Sequence, residues 1–504
     1  MVREHARERP DTEVLRDDAS ALNWAELDAL MDRIAASLQR DGLRPGDVLA
    51  ICAAPSVRYG ALYLGALRAG VVVAPLAPSV TPEQLVSMQG DAQARRFFID
   101  AMAVPLLAAS HAGSLVSLDG QAPGQAWDDW LAPQGRGPQP FTATPEHPFN
   151  IIYSSGTTGT PKGIVQSHGM RWSHLLRGLD HGYGPDSLAV ISTPLYSNTT
   201  LVSFFPAVGW GGRVRILPKF DALRFLEIAS SLRATHAMLV PVQYQRILAQ
   251  PQFGAFDLSS FRAKFCTSAP FRADHKAEVL ARWPAGALYE FYGMTEGGGS
   301  CILLAHEHPD KLHTVGRPAA TSDIRLIDEA GQELAPGPDT VGEVVGHSPG
   351  MMTGYHHQPE KTREAEWFDA TGKRFIRTGD VGRFDEDGFL ILMDRRKDMI
   401  ITGGFNVYPS DLEAELRKHP AVADVAVTGV PSEAWGETPV AFVCPQPGST
   451  DTPEQIMAWY NGRAGKTQRL SALHFIDELP RSAIGKVLKR ELRERHLQPS
   501  TLSA

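Results

Sequence analysis

The chain has 504 residues, of which 43% are hydrophobic and 21% charged, and 49 basic against 57 acidic side chains give a net charge of −8. This length exceeds what one hydrophobic core usually supports, so we expect two or more domains, and the composition excludes disorder as the main state. The acidic balance and the lack of a basic tract argue against nucleic acid or an anionic membrane as a partner.

The N-terminus and the cysteines indicate the compartment. The first residues, MVREHARERPDTE, are charged and lack the apolar core of a signal peptide, and no run approaches 18 uninterrupted apolar residues. Cys52, Cys266, Cys301 and Cys444 are far apart and form no CxxC or Cys/His spacing, which argues against a zinc site and a disulfide framework. We therefore expect a cytoplasmic protein that is neither secreted nor membrane-spanning.

Helix and strand patterns alternate from residue 23 onward. NWAELDALMDRIAASLQR has apolar residues at helical spacing, and Asn23 followed by Glu26 three residues later predicts a helix start. The strand VLAIC, a helix pattern over 58–68 and the strand GVVVAPL follow. The rhythm continues through FNIIY, LAVIST, RVRIL, THAMLVP and KFCTS. This alternation predicts a large α/β domain with mostly parallel sheets covered by helices.

After about residue 318 the pattern changes to short β-like runs separated by turn signals. These runs, from SDIRLID to EDGFLILMDR, predict a small, mainly β subdomain that ends near Asp394. Beyond it, DLEAELRKH predicts an amphipathic helix, ADVAVTGV and TPVAFVCP predict strands, and SAIGKVLKRELRERH predicts a helix. We therefore expect a separate α+β domain of roughly a hundred residues.

The segment YSSGTTGTPKG directly follows the strand FNIIY. Its small residues let backbone N–H groups approach an anion, its hydroxyls add donors, and its lysine adds charge. The residues concerned are Ser154, Ser155, Gly156, Thr157, Thr158, Gly159, Thr160, Lys162 and Gly163. The GxxxxGK[ST] order of a Walker A loop is absent. From composition alone, a surface turn rich in glycine and hydroxyls stays open as the alternative to a phosphate loop.

The whole string resembles the signature of the adenylate-forming enzymes, which include acyl-CoA synthetases, luciferases and nonribosomal-peptide adenylation domains. Several further motifs of that superfamily occur in the same order, and the resemblance covers essentially the full chain. It implies an AMP-binding domain over 1–394, a hinge over 395–397 and a mobile C-terminal α+β domain over 398–504. It also implies that the loop and Lys162 bind the nucleotide and that Thr158 is catalytic.

YEFYGMTEGG resembles the YGxTE motif, in which an aromatic ring stacks on adenine and the Thr and Glu lie by the phosphates and Mg²⁺. The resemblance assigns Tyr292, Gly293 and Thr295 to the nucleotide, and Glu296 to catalysis and to Mg²⁺ through ATP. A flat ring suits a purine face, and a carboxylate beside a triphosphate needs a divalent cation between them. In isolation, a buried tyrosine and a solvated glutamate would explain the same residues.

Two shorter motifs complete the nucleotide site. CTSAPF resembles the GGAP stretch that packs on the other face of adenine, here Ser268, Ala269 and Pro270, with the first glycine replaced. RTGD resembles the motif whose aspartate, here Asp380, holds both ribose hydroxyls. An ionised carboxylate can accept two hydrogen bonds from a vicinal diol. The alternative is a Thr-Gly-Asp turn between two β-strands.

DRRKDMIITGGFNVYP resembles the hinge motif of the superfamily. The resemblance implies that Arg395 contacts ribose or phosphate and that Lys397 is the hinge residue whose backbone torsions change. Gly403 and Gly404 would line the path of the thiol. We expect Arg396 to be a solvated surface charge.

LPRSAIGKVLKREL places Lys486 where the superfamily carries its adenylation lysine. Attack of a carboxylate on the α-phosphorus crowds negative charge on the nucleophile, the phosphoryl oxygens and the departing pyrophosphate, which a positioned ammonium can stabilise. No general base is needed, because a carboxylic acid is already ionised at pH 7. Lys489 and Arg490 in the same run are expected to be solvated.

The acceptor of the acyl group is indicated by two stretches. WGETPVAFV resembles the stretch that lies along the CoA site of acyl-CoA synthetases, where Trp435 either contacts CoA or is a half-buried aromatic. Arg469 falls where many CoA ligases carry a basic residue of a K-x-P-[KR] stretch, but this chain has KTQRLSA without the proline. No carrier serine motif follows Leu492, so we expect a free-standing ligase.

The stretch PLYSNTTLVSFFPAVGWGG indicates the acid pocket. It contains no Asp or Glu to meet the ammonium of an amino acid, and it resembles the family's PLFH motif with Ser197 where histidine commonly sits. The other predicted acyl-pocket residues are Phe204, Phe205, Val240, Gly297 and Gly298. Core packing explains the phenylalanines equally well. Small residues after Glu296 would leave space for a long or broad tail, and fatty and aromatic acids both stay open.

The resemblance thus implies an AMP-forming acid–CoA ligase that uses ATP, Mg²⁺ and CoA. It would convert a fatty or aromatic acid to acyl-AMP and then to acyl-CoA. The alternatives are an adenylating enzyme that loads a carrier protein or stops at acyl-AMP, and a noncatalytic nucleotide-binding protein on the same fold. We expect small-molecule partners, no nucleic acid and no transmembrane segment, and a homodimer is compatible with the sequence.

Overall fold

The computed structural model describes residues 1–108, 115–154, 162–482 and 485–497. The chain divides into two compact units. Unit 1 contains Met1–Ile324 and Gly346–Ile376, and unit 2 contains Arg325–Val345 and Arg377–Ala504. The chain therefore passes between the units at three points. Residues 325–345 and 377–394, which the sequence assigns to the first domain, are grouped with unit 2, and the division at residues 395–397 stays a prediction.

The α-helices have the following bounds: α1 Val2–Glu8, α2 Trp24–Arg40, α3 Val57–Arg68, α4 Pro82–Ala92, α5 Trp127–Trp130, α6 His168–Asp180, α7 Asn198–Gly209, α8 Ala222–Ser231, α9 Pro241–Leu248, α10 Ala273–Arg282, α11 Pro359–Glu364, α12 Pro409–Leu416, α13 Pro453–Asn461 and α14 Lys489–Leu497. Short 3₁₀ segments lie at Ala101–Leu106, Phe253–Ala255 and Lys466–Gln468.

The strands of the first part of the chain are β1 Glu13–Arg16, β2 Ala21–Asn23, β3 Val48–Cys52, β4 Val72–Pro75, β5 Arg96–Ile99, β6 Leu115–Ser117, β7 Gln125–Ala126, β8 Pro148–Ser154, β9 Lys162–Ser167, β10 Leu188–Ile191, β11 Arg213–Ile216, β12 His236–Leu239, β13 Ala263–Cys266, β14 Ala287–Gly293, β15 Ser300–Leu304 and β16 Arg317–Pro318. Those of the second part are β17 Asp323–Ile327, β18 Glu333–Leu334, β19 Gly342–His347, β20 Gly354–Tyr355, β21 Glu366–Phe368, β22 Arg374–Phe384, β23 Leu390–Arg395, β24 Ile400–Thr402, β25 Phe405–Val407, β26 Val422–Ser432, β27 Gly436–Pro445 and β28 Ala472–Phe475.

Unit 1 is built on two sheets. One has the strand order β16-β15-β14-β13-β12-β10-β11-β1-β2, and its interior pairs from β14 to β1 are parallel. The other has the order β20-β9-β8-β4-β3-β5-β6-β7, with parallel pairs from β8 to β7 and antiparallel pairs at β8–β9 and β9–β20. The predicted α/β class with mostly parallel sheets is confirmed.

Residue alternation along the strands of the second sheet explains how it is buried. In β3, Val48, Ala50 and Cys52 belong to one apolar cluster, whereas Leu49 and Ile51 belong to another. Successive side chains of a strand point to opposite faces, so this sheet has a core on each side. Strands covered on both faces are continuous apolar runs, which is the pattern of VLAIC.

Local signals fix helix α2 as the sequence predicts. The side chain of Asn23 accepts a hydrogen bond from the Glu26 backbone N–H, and the Glu26 side chain accepts from the Asn23 backbone N–H. This capping box satisfies backbone donors at the first turn. The buried face of the helix then contains Trp24, Leu27 and Ile34.

Unit 2 contains a sheet of order β25-β24-β27-β26, with β28 parallel to β27. The long hairpin of β26 and β27 packs with α12 and α14, and α13 packs with β28 and α12. These elements bury two apolar clusters. Unit 2 also contains the antiparallel pairs β17–β18 and β22–β23. The predicted α+β character of this part is confirmed.

The helix predicted from SAIGKVLKRELRERH starts later than expected. It begins only at Lys489, because an isolated bridge between Arg481 and Val487 and a positive φ of 78° at Gly485 give the preceding residues a turn. A helix cannot include a residue in that conformation without losing its hydrogen-bond ladder. Within the ranges described above, no helix combines the length and apolarity needed to cross a bilayer.

Candidate functional site

The predicted phosphate loop is held by an antiparallel strand pair. Strand β8 ends at Ser154, β9 begins at Lys162, and these two residues are paired in the register. Several of the predicted nucleotide-binding residues lie outside the described part of the chain. These are Ser155, Gly156, Thr157, Thr158, Gly159 and the side chain of Ser154. The loop therefore follows a strand, as the sequence indicates, and leads into the strand that carries its lysine.

Lys162 belongs to a group of three side chains at this edge of the sheet. Its ammonium lies 5.0 Å from the ring centroid of Tyr355, at cation–π distance. The Tyr355 hydroxyl donates a hydrogen bond to Glu296 Oε1 at 2.9 Å. One tyrosine thus contacts the lysine of the predicted phosphate loop and the carboxylate of the predicted Mg²⁺ site.

Backbone pairing fixes both ends of this group. Tyr355 lies in β20, opposite Ile164 of β9, and its backbone N–H donates to Thr362 Oγ1 at 2.9 Å. The Met352 backbone N–H donates to the Glu296 carbonyl at 2.7 Å. The phenol and the carboxylate are therefore positioned by main-chain contacts as well as by their own hydrogen bond.

Tyr292, Gly293, Thr295 and Glu296 lie at and just beyond the end of β14. Tyr292 and Glu296 are half-buried, so neither the fully buried tyrosine nor the solvated glutamate of the alternative describes them. The Thr295 carbonyl accepts a hydrogen bond from Gln166 Nε2 at 2.7 Å. This contact ties the YGxTE segment to strand β9.

The CTSAPF segment follows β13. Ser268 has a φ of 80°, in the left-handed region that non-glycine residues adopt at a cost, and its hydroxyl hydrogen-bonds the Thr199 hydroxyl on α7. Ala269 and Pro270 follow it directly. The structure thus places this predicted nucleotide segment against the first turn of α7, where Ser197 is the N-cap residue.

The predicted acyl-pocket residues are close-packed. Phe204 and Phe205 are buried in the main apolar cluster of unit 1, and Val240 is buried at the start of α9. A Cβ atom on Gly297 would lie 1.9 Å from the Gly350 carbonyl oxygen, and one on Gly298 would lie 2.7 Å from Ile376 Cβ. Protein atoms therefore fill the space beside these glycines, and their place in the acyl pocket stays a prediction.

A buried polar network lies beneath these segments. Arg171 on α6 is 1% exposed, and its Nε donates to Asn150 Oδ1 at 3.0 Å. Its second terminal nitrogen donates to Gln166 Oε1, and its first lies 3.4 Å from His174 Nδ1. Gln166 Nε2 also lies 3.4 Å from Asn198 Oδ1. The network connects α6, β8, β9 and α7.

In unit 2, Asp380 and Arg395 are paired with each other. They lie opposite one another in β22 and β23, and Arg395 Nε is 3.0 Å from Asp380 Oδ1. The RTGD motif is inside strand β22, so the alternative of a turn between two strands is wrong. Arg396 is 43% exposed by side chain and donates to Glu343, while Lys397 Nζ lies 3.8 Å from Asp398 Oδ1.

Lys486 stands on a hydrogen-bonded turn. The Ser482 backbone N–H donates to the Lys486 carbonyl at 2.8 Å, and Arg481 donates to the Gly485 carbonyl at 2.9 Å while pairing with Asp424. Lys486 is exposed. The predicted adenylation lysine therefore lies before α14 rather than in the helix that the sequence predicts.

Lys489 differs from its expected solvated state, whereas Arg490 matches it. Lys489 Nζ is 3.1 Å from Glu413 Oε1, and its side chain is only 19% exposed. Burial lowers its pKa, but the carboxylates of Glu413, Asp394 and Asp398 together raise that pKa above its ordinary value. Lys489 thus joins α14 to α12 as one half of an ion pair, while Arg490 is 68% exposed.

The residues predicted for the thiol path lie around a tight turn. Gly403 and Gly404, with φ of 58° and 84°, join β24 to β25, and the Gly403 N–H donates to the Trp435 carbonyl at 2.8 Å. The Trp435 side chain is partly exposed, and Lys466 Nζ lies 5.3 Å from its ring centroid. Arg469 is exposed three residues further on.

The donor chemistry of Glu296 fits Mg²⁺. Tyr355 donates to Oε1, and within the described ranges no residue donates a hydrogen bond to Oε2. A carboxylate oxygen is a hard ligand of the kind that Mg²⁺ binds, usually one or two at a time together with substrate phosphates. Glu296 would therefore hold the ion together with ATP.

Sequence reasoning missed four residues of these groups: Tyr355, Gln166, Arg171 and Lys466. Arg171 and His174 stand at helical spacing with the buried Met170 and Gly178, which is a readable signal that polar side chains face the core. Tyr355 and Gln166 carry no such signal, because Glu296 and Thr295, the residues that they contact in the YGxTE segment, are distant in sequence.

Comparison with known proteins identifies two family profiles in this chain. The profile described as AMP-binding enzyme matches residues 2–356, and the profile described as AMP-binding enzyme C-terminal domain matches residues 411–486. A feruloyl-CoA synthase of an Amycolatopsis species is 32% identical over 496 residues, which cover 97% of each chain.

Two further proteins with different names are similar to this chain over nearly its whole length. A fatty acid–[acyl-carrier-protein] ligase, ScoC of Streptomyces coeruleorubidus, is 31% identical, with 97% of this chain and 95% of ScoC covered. The crystal structure of ATP-bound MatB from Rhodopseudomonas palustris superposes with a TM-score of 0.86 at 31% identity, covering 98% of this chain and 99% of MatB.

Proposed function

Because this chain belongs to the AMP-binding enzyme family, we propose that it is an AMP-forming acid–CoA ligase. It uses ATP and Mg²⁺ to convert a carboxylic acid to acyl-AMP with release of pyrophosphate. The acyl group then passes to the thiol of CoA, giving acyl-CoA and AMP. The similarity to a feruloyl-CoA synthase over 97% of both chains carries this proposal. Aromatic and fatty acids are the substrate classes that we propose to test first.

In the first half-reaction, the acid carboxylate attacks the α-phosphorus and the bond to pyrophosphate breaks. We assign Lys486 to the charge that develops on the phosphoryl oxygens, because a positioned ammonium stabilises that charge. Lys162 binds phosphate oxygens from the side of β9. Mg²⁺ bound with the nucleotide would supply further positive charge, and Glu296 would hold it, in an orientation fixed by Tyr355.

We assign the rest of the nucleotide to the residues that the sequence indicates. Tyr292 stacks on the adenine, and Asp380 accepts from the ribose hydroxyls. The contact of Arg395 Nε with Asp380 Oδ1 at 3.0 Å supports this role, because it orients a carboxylate that can accept hydrogen bonds from both hydroxyls. Thr158, with the other loop residues, is proposed to contact the phosphates.

In the second half-reaction, the thiol attacks the acyl carbon and AMP leaves. We propose that Gly403 and Gly404 border the thiol path, because glycines let a ligand approach the backbone closely. Trp435 and Lys466 stand beside this turn and would meet the CoA moiety, with Arg469 further along the chain. Lys397 is the proposed hinge for the change between the two half-reactions.

The proposal is tested with a panel of fatty, benzoic and cinnamic acids supplied with ATP, Mg²⁺ and CoA. Mass spectrometry then measures acyl-CoA and AMP. We expect one class of acid to give both products in equal amounts. Acyl-AMP and pyrophosphate without a thioester would overturn CoA as the acceptor, and no AMP from any acid would overturn ligase activity.

Lys486→Ala tests the catalytic assignment. We expect ATP–pyrophosphate exchange to fall by about 100-fold or more, since single oxyanion-stabilising groups contribute on that order. Arg490→Ala is the matched control, because Arg490 is an exposed cation four residues away. Exchange at the wild-type rate in Lys486→Ala would contradict the role of this lysine.

A carrier protein as the acceptor is the second candidate function. Two observations favour it: the similarity to the carrier-protein ligase ScoC, and the KTQRLSA stretch without the proline common in CoA ligases. The acid panel, repeated with a phosphopantetheinylated acyl carrier protein in place of CoA, separates the two acceptors.

We also propose that the protein works in the cytoplasm and that a homodimer is its oligomeric state. The four cysteines, which form no CxxC or Cys/His spacing, support the first proposal. Fractionation of cells that express the full chain, and light scattering of the purified protein, test the two proposals separately.

A further inference from the structure

Arg171 is a buried cation whose surroundings, within the described ranges, contain no carboxylate in contact with it. Its acceptors are the amide oxygens of Asn150 and Gln166 and the imidazole of His174. Burial lowers the pKa of Arg171 to about 10, so the guanidinium is charged at neutral pH. His174 does not compensate, because burial holds the pKa of its imidazole well below the ordinary value and keeps it neutral.

The other contacts that the described residues make with the guanidinium are aromatic rings, which are neutral. Its carbon lies 5.8 Å from the ring centroid of Phe149 and 5.9 Å from that of Phe205. A buried charge without a counterion costs far more free energy than a paired one. Neutral hydrogen-bond acceptors and aromatic faces offset only part of that cost, so the site favours an anion that is not supplied by the surrounding residues.

The hydrogen bonds of Gln166 lead from Arg171 to the two predicted subsites. Gln166 accepts from Arg171 through Oε1 and donates through Nε2 to the Thr295 carbonyl at 2.7 Å. The same nitrogen lies 3.4 Å from Asn198 Oδ1, and Asn198 directly follows Ser197 at the start of α7. The cation is thus one amide group away from the place where the acid and the α-phosphate are proposed to meet.

We propose that Arg171 is a positioning residue that selects the carboxylate of the acid substrate, acting through Gln166 and Asn198. The substrate carboxylate is the counterion of the guanidinium, and the side-chain amide of Gln166 lies between the two charges. The inference rests on the proposed ligase function, since that function requires an ionised acid at this position. Residues of α6 and β9 thereby contribute to the selection of the acid substrate.

Matched ligand pairs test the role of charge directly. The probes are octanoate with 1-octanol, benzoate with benzyl alcohol, and cinnamate with cinnamyl alcohol, each titrated calorimetrically into the full-length protein. The wild type is expected to bind at least one acid in preference to its alcohol. Arg171→Met is expected to lower that preference by about tenfold or more, because a desolvated charge interaction is lost while the shape of the pocket is kept.

Two further variants keep the test independent of any folding defect in Arg171→Met. Asn150→Asp places a carboxylate 3.0 Å from Nε and supplies the missing counterion inside the protein. It should remain folded and lose the acid preference. Arg171→Lys retains the cation, and most of the preference should remain. Lys264→Met is the control, because Lys264 is a buried lysine that donates to the Trp283, Ala285 and Gly286 carbonyls elsewhere in unit 1.

The outcomes are distinct. Selective loss of acid binding in Arg171→Met and Asn150→Asp, with unchanged affinity for the alcohol and for ATP, supports the inference. The inference is overturned if the variants weaken acid and alcohol binding equally, if they weaken only ATP binding, or if they weaken no binding at all. Because this readout is binding, a wild type that prefers the acid but makes no acyl-AMP would overturn the proposed function alone.

Discussion

The Tyr355 hydroxyl donates to Glu296 Oε1 at 2.9 Å, and the Lys162 ammonium lies 5.0 Å from the centroid of the same ring. Burial and the neighbouring carboxylate of Glu296 raise the pKa of Tyr355, so the phenol keeps its proton at neutral pH. A single tyrosine therefore orients a proposed metal carboxylate by its hydroxyl and contacts a proposed phosphate-binding cation by its ring.

Tyr355→Phe removes the hydroxyl and keeps the ring. A hydrogen bond to a charged group contributes about 1.5–3 kcal/mol, so we expect ATP–pyrophosphate exchange to fall roughly 10- to 100-fold at limiting Mg²⁺. Higher Mg²⁺ should restore part of the rate, and the KM for the acid should not change. Calorimetric binding of ATP with and without Mg²⁺ supplies a second measurement.

Tyr244→Phe is the control for that change. The Tyr244 hydroxyl is buried and donates to the Phe265 carbonyl, so its loss affects stability and not the Mg²⁺ requirement. An unchanged Mg²⁺ dependence in Tyr355→Phe would show that the hydroxyl does not position Glu296.

Gly403→Ala is expected to impair only the transfer to CoA. An added Cβ would lie 2.8 Å from Trp435 Cε3, and the φ of 58° is unfavourable for alanine. The backbone strain should cost about 1–2 kcal/mol of folding free energy, measured by urea denaturation. Gly448→Ala shares the positive φ but meets nothing within 4 Å, so it separates strain from the contact. Thioester formation that is equally fast in both variants would contradict the prediction.

His236 makes stability dependent on pH. It is buried, its Nε2 lies 2.9 Å from the His181 carbonyl, and burial lowers its pKa to about 4. The unfolded chain, with an ordinary histidine pKa near 6.5, binds a proton that the folded state does not bind. The contribution of His236 to stability is therefore complete above about pH 6.5 and is lost as the pH falls towards 4.

His236→Gln should make this acid destabilisation shallower. A single group contributes a slope of up to about 1.4 kcal/mol per pH unit within the window. Urea denaturation at several pH values between about 4.5 and 7 measures the slope. A variant with the same slope as the wild type would show that His236 takes up its proton in the folded state.

Lys276 and Glu290 form a buried ion pair in unit 1. Lys276 also donates to the Leu312 and Thr314 carbonyls at 2.8 and 2.9 Å. Lys276→Met leaves the Glu290 carboxylate buried without its partner and should cost about 3–5 kcal/mol of folding free energy. The double variant Lys276→Met with Glu290→Leu should recover a large part of that loss. A double variant less stable than Lys276→Met would contradict this explanation.

Local patterns predicted the elements because the forces that form them are local. The capping box at Asn23, the two-sided burial of VLAIC and the change to β-rich sequence after residue 318 all have counterparts in the structure. The expected helix start in SAIGKVLKREL was wrong because the positive φ of Gly485 stops the helical period. Helical periodicity alone does not register a turn of that kind.

The candidate site was predictable only where a motif carries it. Glu296, Lys162 and Asp380 were identified from their sequence neighbours. Tyr355 is 59 residues from Glu296, its hydrogen-bond partner, so sequence spacing does not show that the two are close. The pairing of β20 with β9 is needed to identify Tyr355 as part of the site. Lys489 was expected to be solvated, because its carboxylate partner, Glu413, is on a different helix and is not near it in sequence. Contacts of this type depend on tertiary packing, which sequence spacing does not encode.

The three passages of the chain between the units constrain the order of folding during synthesis. Unit 1 is complete only when Ile376 has been made, although most of its residues precede Ile324. Residues 325–345 leave the ribosome early and belong to a unit whose remaining residues start at Arg377. Because domains usually fold as their residues emerge, this segment must wait for its partners. A fragment that stops at Ile324 lacks part of unit 1, so stable halves of this enzyme are expected only from fragments that keep both segments of a unit.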